Sequence, residues 1–253
     1  MIKSFIKRIS PAGLQKQIQV WRFGRFTVLQ WDTDGLLTPD VYEAIYHTFR
    51  RIGHDDVIEI GGAGGSASIA ICWALQDAHS RAKLVVIEKC EGGTRTKYGD
   101  YQTNFDRYWS AAGRNGVSDR IDLFPEYLTF ENGEQVHRKV TTERLGGLMI
   151  DADGQIHRDF WLFWKRLAPG APIVIDDYHK DLSPKHALTF VLLNQFIEWG
   201  LITQQSIVGE TFFGIKGEEK SFENFNLEAC EQIAAAVCHD WKVRFDKSGL
   251  HYE

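Results

Sequence analysis

The chain has 253 residues, of which 43% are hydrophobic and 25% charged, so it can bury a sizeable core and is not a disordered polypeptide. Its formal net charge of −5 gives no general reason to expect nucleic acid as a partner. We find no apolar run near the roughly 18–20 residues of a membrane span, and no signal peptide, so we expect a cytoplasmic protein. The cysteines show no CxxC pair or zinc spacing, which predicts reduced thiols. They are Cys72, Cys90, Cys230 and Cys238.

The first 31 residues contain six basic side chains and no acid. Near the start, Ile2, Phe5, Ile6 and Ile9 recur at helical spacing. We therefore predict a basic, helical N-terminal segment over residues 1–37 and a single domain over 38–253. The segment is either a solvated amphipathic helix packed on the domain or on a second copy in a homodimer, or an arm that contacts an anionic surface or substrate.

From residue 38 onward the pattern alternates between helix and strand. Thr38-Pro39-Asp40 has the composition of a helix start, and Gly209-Glu210 is a hairpin turn signal. The predicted strands are 57–60, 83–87, 121–124, 147–150, 173–175, 203–208 and 211–216. The predicted helices after the first are 66–77, 101–112, 134–144 (helix or turn), 158–167, 183–199 and 227–238, the last of which we expect to end the chain.

This alternation predicts an α/β fold with a Rossmann-like, doubly wound sheet of seven strands. Six strands would run parallel, and the late hairpin would add one antiparallel strand.

A glycine-rich turn follows the first predicted strand, in the stretch DDVIEIGGAGGSASIAICWAL. Residues 62–67 match GxGxxA, and Glu88 follows 21 residues later at the end of the next strand. Glycines let the backbone approach a ligand, and a carboxylate at that place can accept hydrogen bonds from ribose hydroxyls. The motif alone leaves NAD and other adenosine cofactors open. Glu59 favours S-adenosylmethionine, because a carboxylate inside a strand needs a positive partner and this cofactor carries two positive groups.

Carboxylates end the fourth and fifth predicted strands, at Asp151 and at Asp176-Asp177. The carboxyl ends of parallel strands meet at one sheet edge, where oxygen ligands suit a hard divalent cation such as Mg²⁺. Such an ion would lower the pKa of a coordinated hydroxyl. His157 is the candidate general base, and His179 is its competitor.

The stretches EIGGAGGSAS, VVIEK and IDADGQIHRDF…LAPGAPIVIDDYH resemble class I S-adenosylmethionine-dependent methyltransferases. The resemblance is strongest to the metal-dependent small-molecule O-methyltransferases of the catechol and caffeoyl-CoA type and their bacterial relatives acting on sugars and natural products. It implies that Asp151, Asp176 and Asp177 bind the metal, and that Asp151 and His157 are catalytic. The cofactor-binding residues that we expect are Glu59, Gly61, Gly62, Gly64, Gly65, Ser66, Glu88, Glu126 and Asp151.

We therefore expect an enzyme that methylates a small-molecule hydroxyl of a sugar, phenol or natural product. One alternative is an NAD-dependent oxidoreductase, which would carry a Tyr-x-x-x-Lys or similar pair after the fourth strand, and we find none. The other is a non-catalytic protein that binds the cofactor.

Overall fold

The structure, a computed structural model, describes residues 22–91, 100–246 and 249–252. The predicted helical pattern at Ile2, Phe5, Ile6 and Ile9 lies outside these residues. The helices are α1 (Arg25–Thr33), α2 (Pro39–Phe49), α3 (Ser66–Asp77), α4 (Tyr101–Arg114), α5 (Gly133–Lys139), α6 (Ile156–Phe163), α7 (Pro184–Glu198) and α8 (Leu227–Trp241). The strands are β1 (Asp56–Ile60), β2 (Leu84–Ile87), β3 (Ile121–Phe124), β4 (Leu145–Ile150), β5 (Pro172–Ile175), β6 (Ile202–Val208), β7 (Thr211–Lys216), β8 (Val243–Asp246) and β9 (Gly249–Tyr252).

Seven strands form the main sheet in the order β3-β2-β1-β4-β5-β7-β6. Neighbouring strands from β3 through β5 pair in parallel, whereas β7 runs antiparallel to both β5 and β6. The predicted Rossmann-like sheet with a late antiparallel hairpin is therefore confirmed.

The sheet is buried on both faces. Every residue of β1 and β4, the two strands at its centre, is buried, as expected for parallel strands covered by helices on either side. Alternate residues of β1 face different cores: Val57 packs with α2, α3 and α4, and Ile58 packs with α6 and α7. These two apolar layers hold the strand ends, and hence the loops that follow them, in fixed positions.

Helix α1, within the predicted N-terminal segment, packs on the rest of the fold. Phe26 and Leu29 are buried in the same core as α2 and α3, and the Arg25 guanidinium pairs with Asp77 at 3.0 Å. This part of the segment is thus attached to the domain by apolar contacts and an ion pair. The boundary at residue 37 stays a prediction.

Two local expectations were wrong. The helix predicted over 158–167 begins at Ile156, because the Gln155 N–H bonds the Asp153 carboxylate at 2.9 Å and closes the preceding turn. The chain does not end in a helix, since α8 is followed by the β8–β9 hairpin. Within the described ranges, no helix combines the length and the apolar character needed to cross a bilayer.

Candidate active site at the carboxyl edge of the sheet

The glycine loop between β1 and α3 is packed too tightly for side chains. Gly61 has φ +94°, and a Cβ atom there would lie 1.9 Å from the Asp151 carbonyl oxygen. A Cβ at Gly64 would lie 2.7 Å from the Thr33 carbonyl oxygen. The glycines therefore allow the loop to pass between the segment after β4 and the end of α1.

Glu88, at the end of β2, accepts hydrogen bonds from the glycine loop. Its two carboxylate oxygens accept the Ala63 N–H and the Cys90 N–H, each at 2.8 Å. An ionised carboxylate has about four acceptor positions, so two are left for further donors. Glu88 thus fixes the loop and could still accept the hydroxyls of a ribose.

Glu59 lies in β1 directly beneath the loop and is fully buried. The Ser68 hydroxyl of α3 donates to Glu59 Oε2 at 2.5 Å, while Oε1 has no hydrogen-bond partner among the residues that the structure describes. Burial raises the pKa of Glu59 to about 8, the Ser68 hydrogen bond opposes this rise, and the charges of Asp151 and Glu88 add to it. The carboxylate would therefore be stabilised by a nearby positive charge.

Ser66 begins α3 and connects it to α1. Its hydroxyl and that of Thr33 lie 2.5 Å apart, and both residues are buried. The contact joins the first turn of α3, where backbone N–H groups lack intrahelical partners, to the N-terminal part of the chain.

The three predicted acids meet at the same edge of the sheet. The Asp151 N–H donates to the Ile60 carbonyl, and the Asp176 N–H donates to the Ile150 carbonyl, so each loop leaves its strand beside the neighbouring one. Carboxylate oxygens of Asp151, Asp176 and Asp177 all lie within 4.8 Å of one another. The sequence predicted this convergence correctly.

Two cationic side chains of α7 contact these acids, and the sequence interpretation missed both. The Lys185 ammonium lies 3.2 Å from Asp151 Oδ1 and also pairs with Asp177 Oδ2. His186 Nε2 lies 2.9 Å from Asp177 Oδ1. The Ser183-Pro184 helix start located the beginning of α7, but no local pattern indicated that it folds back onto the acids.

The carboxyl groups titrate differently because their partners differ. Burial, together with the charges of Asp151 and Asp177, raises the pKa of Asp176 to about 7 against the hydrogen bond from Thr211. Burial also raises the pKa of Asp151, although Lys185 opposes this. Burial also favours a higher pKa for Asp177. The contacts of Asp177 with His186 and Lys185 have a larger, opposite effect and lower the pKa to about 2.

The remaining candidates lie apart from this cluster. His157 is 4% exposed, and within the described ranges its Nδ1 has no hydrogen-bond partner. It lines a cavity of about 740 Å³ beside α8, and the contacts described for it include none of the three acids. His179 is exposed, and its Nδ1 accepts the Asp181 N–H at 3.2 Å. Glu126 is exposed in the loop after β3, 3.4 Å from the Asn132 amide nitrogen.

A buried ion-pair network supports the loop after β4. The Arg158 guanidinium, 3% exposed, bonds Asp153 at 3.0 Å and Asp159 at 2.8 Å, and the Tyr127 hydroxyl also contacts Asp153. Breaking a buried pair of this kind costs about 3–5 kcal/mol. The network ties the loop after β3 to the loop after β4, and so positions the chain that follows Asp151.

Part of the chain matches a known protein family. Residues 58–178 match the family described as a methyltransferase domain. This range contains the glycine loop, Glu88 and all three acids. A search of curated proteins gives no match to the chain.

Solved structures, O-methyltransferases among them, have a similar fold. The O-methyltransferase from Bacillus cereus in complex with SAH has a TM-score of 0.57 and 18% identity, covering 75% of this chain and 88% of its own. TomG from Streptomyces achromogenes, an O-methyltransferase of tomaymycin synthesis solved with SAM, has a TM-score of 0.56 and 18% identity, covering 77% and 89%. Cofactor-bound Rv0187 from MTB has a TM-score of 0.59 and 15% identity, covering 83% and 98%.

The chain therefore has the Rossmann-like fold of these solved O-methyltransferases. Its residues 58–178 are similar to a methyltransferase domain.

Proposed function

We propose that this protein is an S-adenosylmethionine-dependent O-methyltransferase acting on a hydroxyl group of a small molecule. The observation that carries the proposal is the placement of the glycine loop and Glu88 beside three carboxylates on one sheet edge. A cofactor held by the loop would meet an acceptor held at the acids. Such proximity contributes much of the acceleration in a methyl transfer.

The cofactor would lie along the loop between β1 and α3. Gly61, Gly62, Gly64 and Gly65 allow the backbone to approach it, and Ser66 begins the helix that follows. S-adenosylmethionine supplies a methyl group on a positively charged sulfur. That positive charge would favour the ionised form of Glu59 beneath the loop, and Asp151 would lie near the amino-acid part of the cofactor.

The two other cofactor contacts concern the nucleoside. Glu88 would accept the ribose hydroxyls with the lone pairs that Ala63 and Cys90 leave free. Glu126, in the loop after β3, would lie near the adenine.

The acidic cluster fits a hard divalent cation in its donor set. Asp151, Asp176 and Asp177 offer three carboxylates whose ligand atoms lie within 4.8 Å of one another, and oxygen ligands of this kind suit Mg²⁺. The ion would supply a Lewis acid that lowers the pKa of an acceptor hydroxyl. Asp151 would then act in catalysis by holding the ion beside the cofactor.

The general base would be His157. Burial and the charge of Arg158 lower its pKa to about 4, so the imidazole is neutral at pH 7 and able to accept a proton. His186, in contrast, has a raised pKa because it hydrogen-bonds Asp177, which favours its charged form. This role requires the acceptor to reach the cavity between α6 and α8. His157→Gln should then lower kcat, and an unchanged kcat would remove His157 from the mechanism.

Several finer expectations belong to this proposal and have separate tests. We propose a cytoplasmic location, a small-molecule acceptor and no nucleic-acid partner. A homodimer is a further prediction, which light scattering of the purified protein would test.

The experiment for the function is a calorimetric titration with S-adenosylmethionine and, separately, with NAD, each with and without Mg²⁺. Saturable binding of S-adenosylmethionine alone would support the methyltransferase. Binding of NAD alone would favour the oxidoreductase. Cofactor binding without transfer to any hydroxyl acceptor would favour the non-catalytic protein.

A further inference from the structure

Lys185 already contributes a positive charge to the acidic cluster. Its ammonium contacts Asp151 Oδ1 and Asp177 Oδ2, which are oxygens of two of the three candidate metal ligands. The cluster therefore has a cation of its own, supplied by the second residue of α7.

The position of Lys185 is set by packing on both sides. Ser183 caps α7: its hydroxyl lies 2.6 Å from His186 Nδ1 and 3.4 Å from the His186 N–H. On the other side, a Cβ at Gly154 would lie 3.0 Å from the Lys185 carbonyl oxygen and 3.4 Å from its Cγ. The turn after β4 thus lies directly against the start of α7, which directs the ammonium to the acids.

The Lys185 ammonium and a divalent ion would compensate the same negative charge. Three carboxylates at such short distances repel one another, and either an ammonium or a divalent ion reduces that repulsion. Two other groups face the acids: the Thr211 hydroxyl donates to Asp176 at 2.5 Å, and the His186 imidazole, whose charged form is favoured, lies between Asp177 and, at 3.6 Å, Glu210. Lys185, in contrast, contacts two of the three acids. Lys185 and a divalent ion would therefore compete for the same oxygens and would repel each other.

We infer that Lys185 competes with the metal ion for the acidic cluster. Lys185 neutralises the cluster when no ion is bound, and it keeps the affinity of the cluster for divalent cations low. The inference rests on the proposed function in one respect: it takes the acidic cluster as the metal site of the enzyme. The Lys185 contact would keep the cluster stable without metal. The ion would then bind firmly only where an acceptor oxygen adds a further ligand.

The test is a calorimetric titration of the full chain with MnCl₂, and again with MgCl₂, in the absence of S-adenosylmethionine. Lys185→Met removes the charge and keeps most of the apolar stem, whereas Lys185→Arg keeps a positive charge. Lys180→Met is the matched control, because Lys180 is exposed and its ion pair, within the described part of the chain, is with the exposed Asp181. Lys185→Gln repeats the test if circular dichroism shows that the methionine variant does not fold.

We expect Lys185→Met to bind Mn²⁺ roughly tenfold more tightly than the wild type, or better, since a nearby positive charge has been removed. Lys185→Arg and Lys180→Met should bind like the wild type. An unchanged or weaker affinity in Lys185→Met, or binding by no variant, would overturn the inference. The proposed function is judged separately, by S-adenosylmethionine binding without metal, so the failure of either leaves the other measurable.

Discussion

The two halves of the candidate site are formed by different parts of the residues, backbone atoms in one half and charged side chains in the other. At the ends of β1 and β2, backbone atoms form the site: Gly61 lies against the Asp151 carbonyl, and Glu88 is held by two N–H groups. At the ends of β4 and β5, charged side chains form it, with Asp151 and Asp177 both paired to Lys185. The first half depends on close packing, and the second depends on charge balance.

This difference predicts different responses to substitution. A side chain added at Gly61 or Gly64 should disturb the fold and the cofactor together, because its Cβ would clash with a backbone carbonyl oxygen. A charge removed from the acidic half should change ion binding and pH dependence more than the fold.

Gly61→Ala should be the most damaging change in the glycine half. Its Cβ would lie 1.9 Å from the Asp151 carbonyl oxygen, at a φ of +94° that alanine disfavours. Overpacking and the left-handed backbone together should cost roughly 2–5 kcal/mol in the free energy of unfolding. Urea denaturation measures this. Gly53→Ala is the control, since nothing lies within 4 Å of its Cβ, and an equal loss in both variants would contradict the close-packed loop.

Glu88→Gln should weaken S-adenosylmethionine binding by about 10- to 100-fold, because hydrogen bonds to a charged group contribute about 1.5–3 kcal/mol. An amide also places a donor where Glu88 accepts the Ala63 and Cys90 N–H groups. Calorimetry on Glu88→Gln and on the exposed Glu91→Gln provides the comparison. If both variants bind like the wild type, Glu88 does not hold the ribose.

Glu59 should make the protein less stable as the pH rises. Its pKa is about 8 in the folded chain against 4.5 as the ordinary value, so between these values the folded state binds more protons than the unfolded state. The contribution of Glu59 to the free energy of unfolding is then fully present below about pH 4.5 and is lost as the pH rises toward 8, by about 1.4 kcal/mol per pH unit for a full proton.

Urea denaturation at several pH values, on the wild type and on Glu59→Gln, isolates this contribution. The comparison with Glu59→Gln is needed because Asp159 and Asp176 also lower stability as the pH rises. The pKa values of both are raised to about 7. The slope should be shallower in Glu59→Gln. Equal slopes would show that Glu59 does not hold its proton in the folded chain.

Thr211→Val should have the smallest effect on stability. It removes the hydroxyl that donates to Asp176 at 2.5 Å, and a hydrogen bond to a charged group of this kind contributes about 1.5–3 kcal/mol, or less when the carboxyl is protonated. Since that bond also lowers the pKa of Asp176, the loss should be greater at pH 8 than at pH 6. Thr203→Val, at an exposed position of β6, is the control. An equal loss at both pH values would contradict an ionised Asp176 at high pH.

Features set by the strands and by local turns were predictable from the sequence. The glycine loop, Glu88 and the convergence of Asp151 with Asp176 and Asp177 were predictable, because strand ends in a parallel sheet meet at one edge. The sheet and its late hairpin were predictable from the periodicity and from the turn at Gly209.

Contacts that join distant segments were not predictable. Lys185 follows Asp151 by 34 residues, and its contact depends on how α7 packs, which no local pattern specifies. The bond between Thr33 and Ser66 likewise depends on how α1 packs against α3. His157 was chosen as an imidazole that follows Asp151 and could accept a proton. The helix that carries it directs it to a cavity beside α8, and that direction depends on tertiary packing.

The central claim is that the cofactor lies along the glycine loop, with its amino-acid part beside Asp151. A crystal structure with S-adenosylhomocysteine tests this most directly. We predict that the ribose hydroxyls lie within hydrogen-bond distance of Glu88 and that the homocysteine passes Gly61 toward Asp151. A ligand bound elsewhere, or a ribose that does not contact Glu88, would contradict the account.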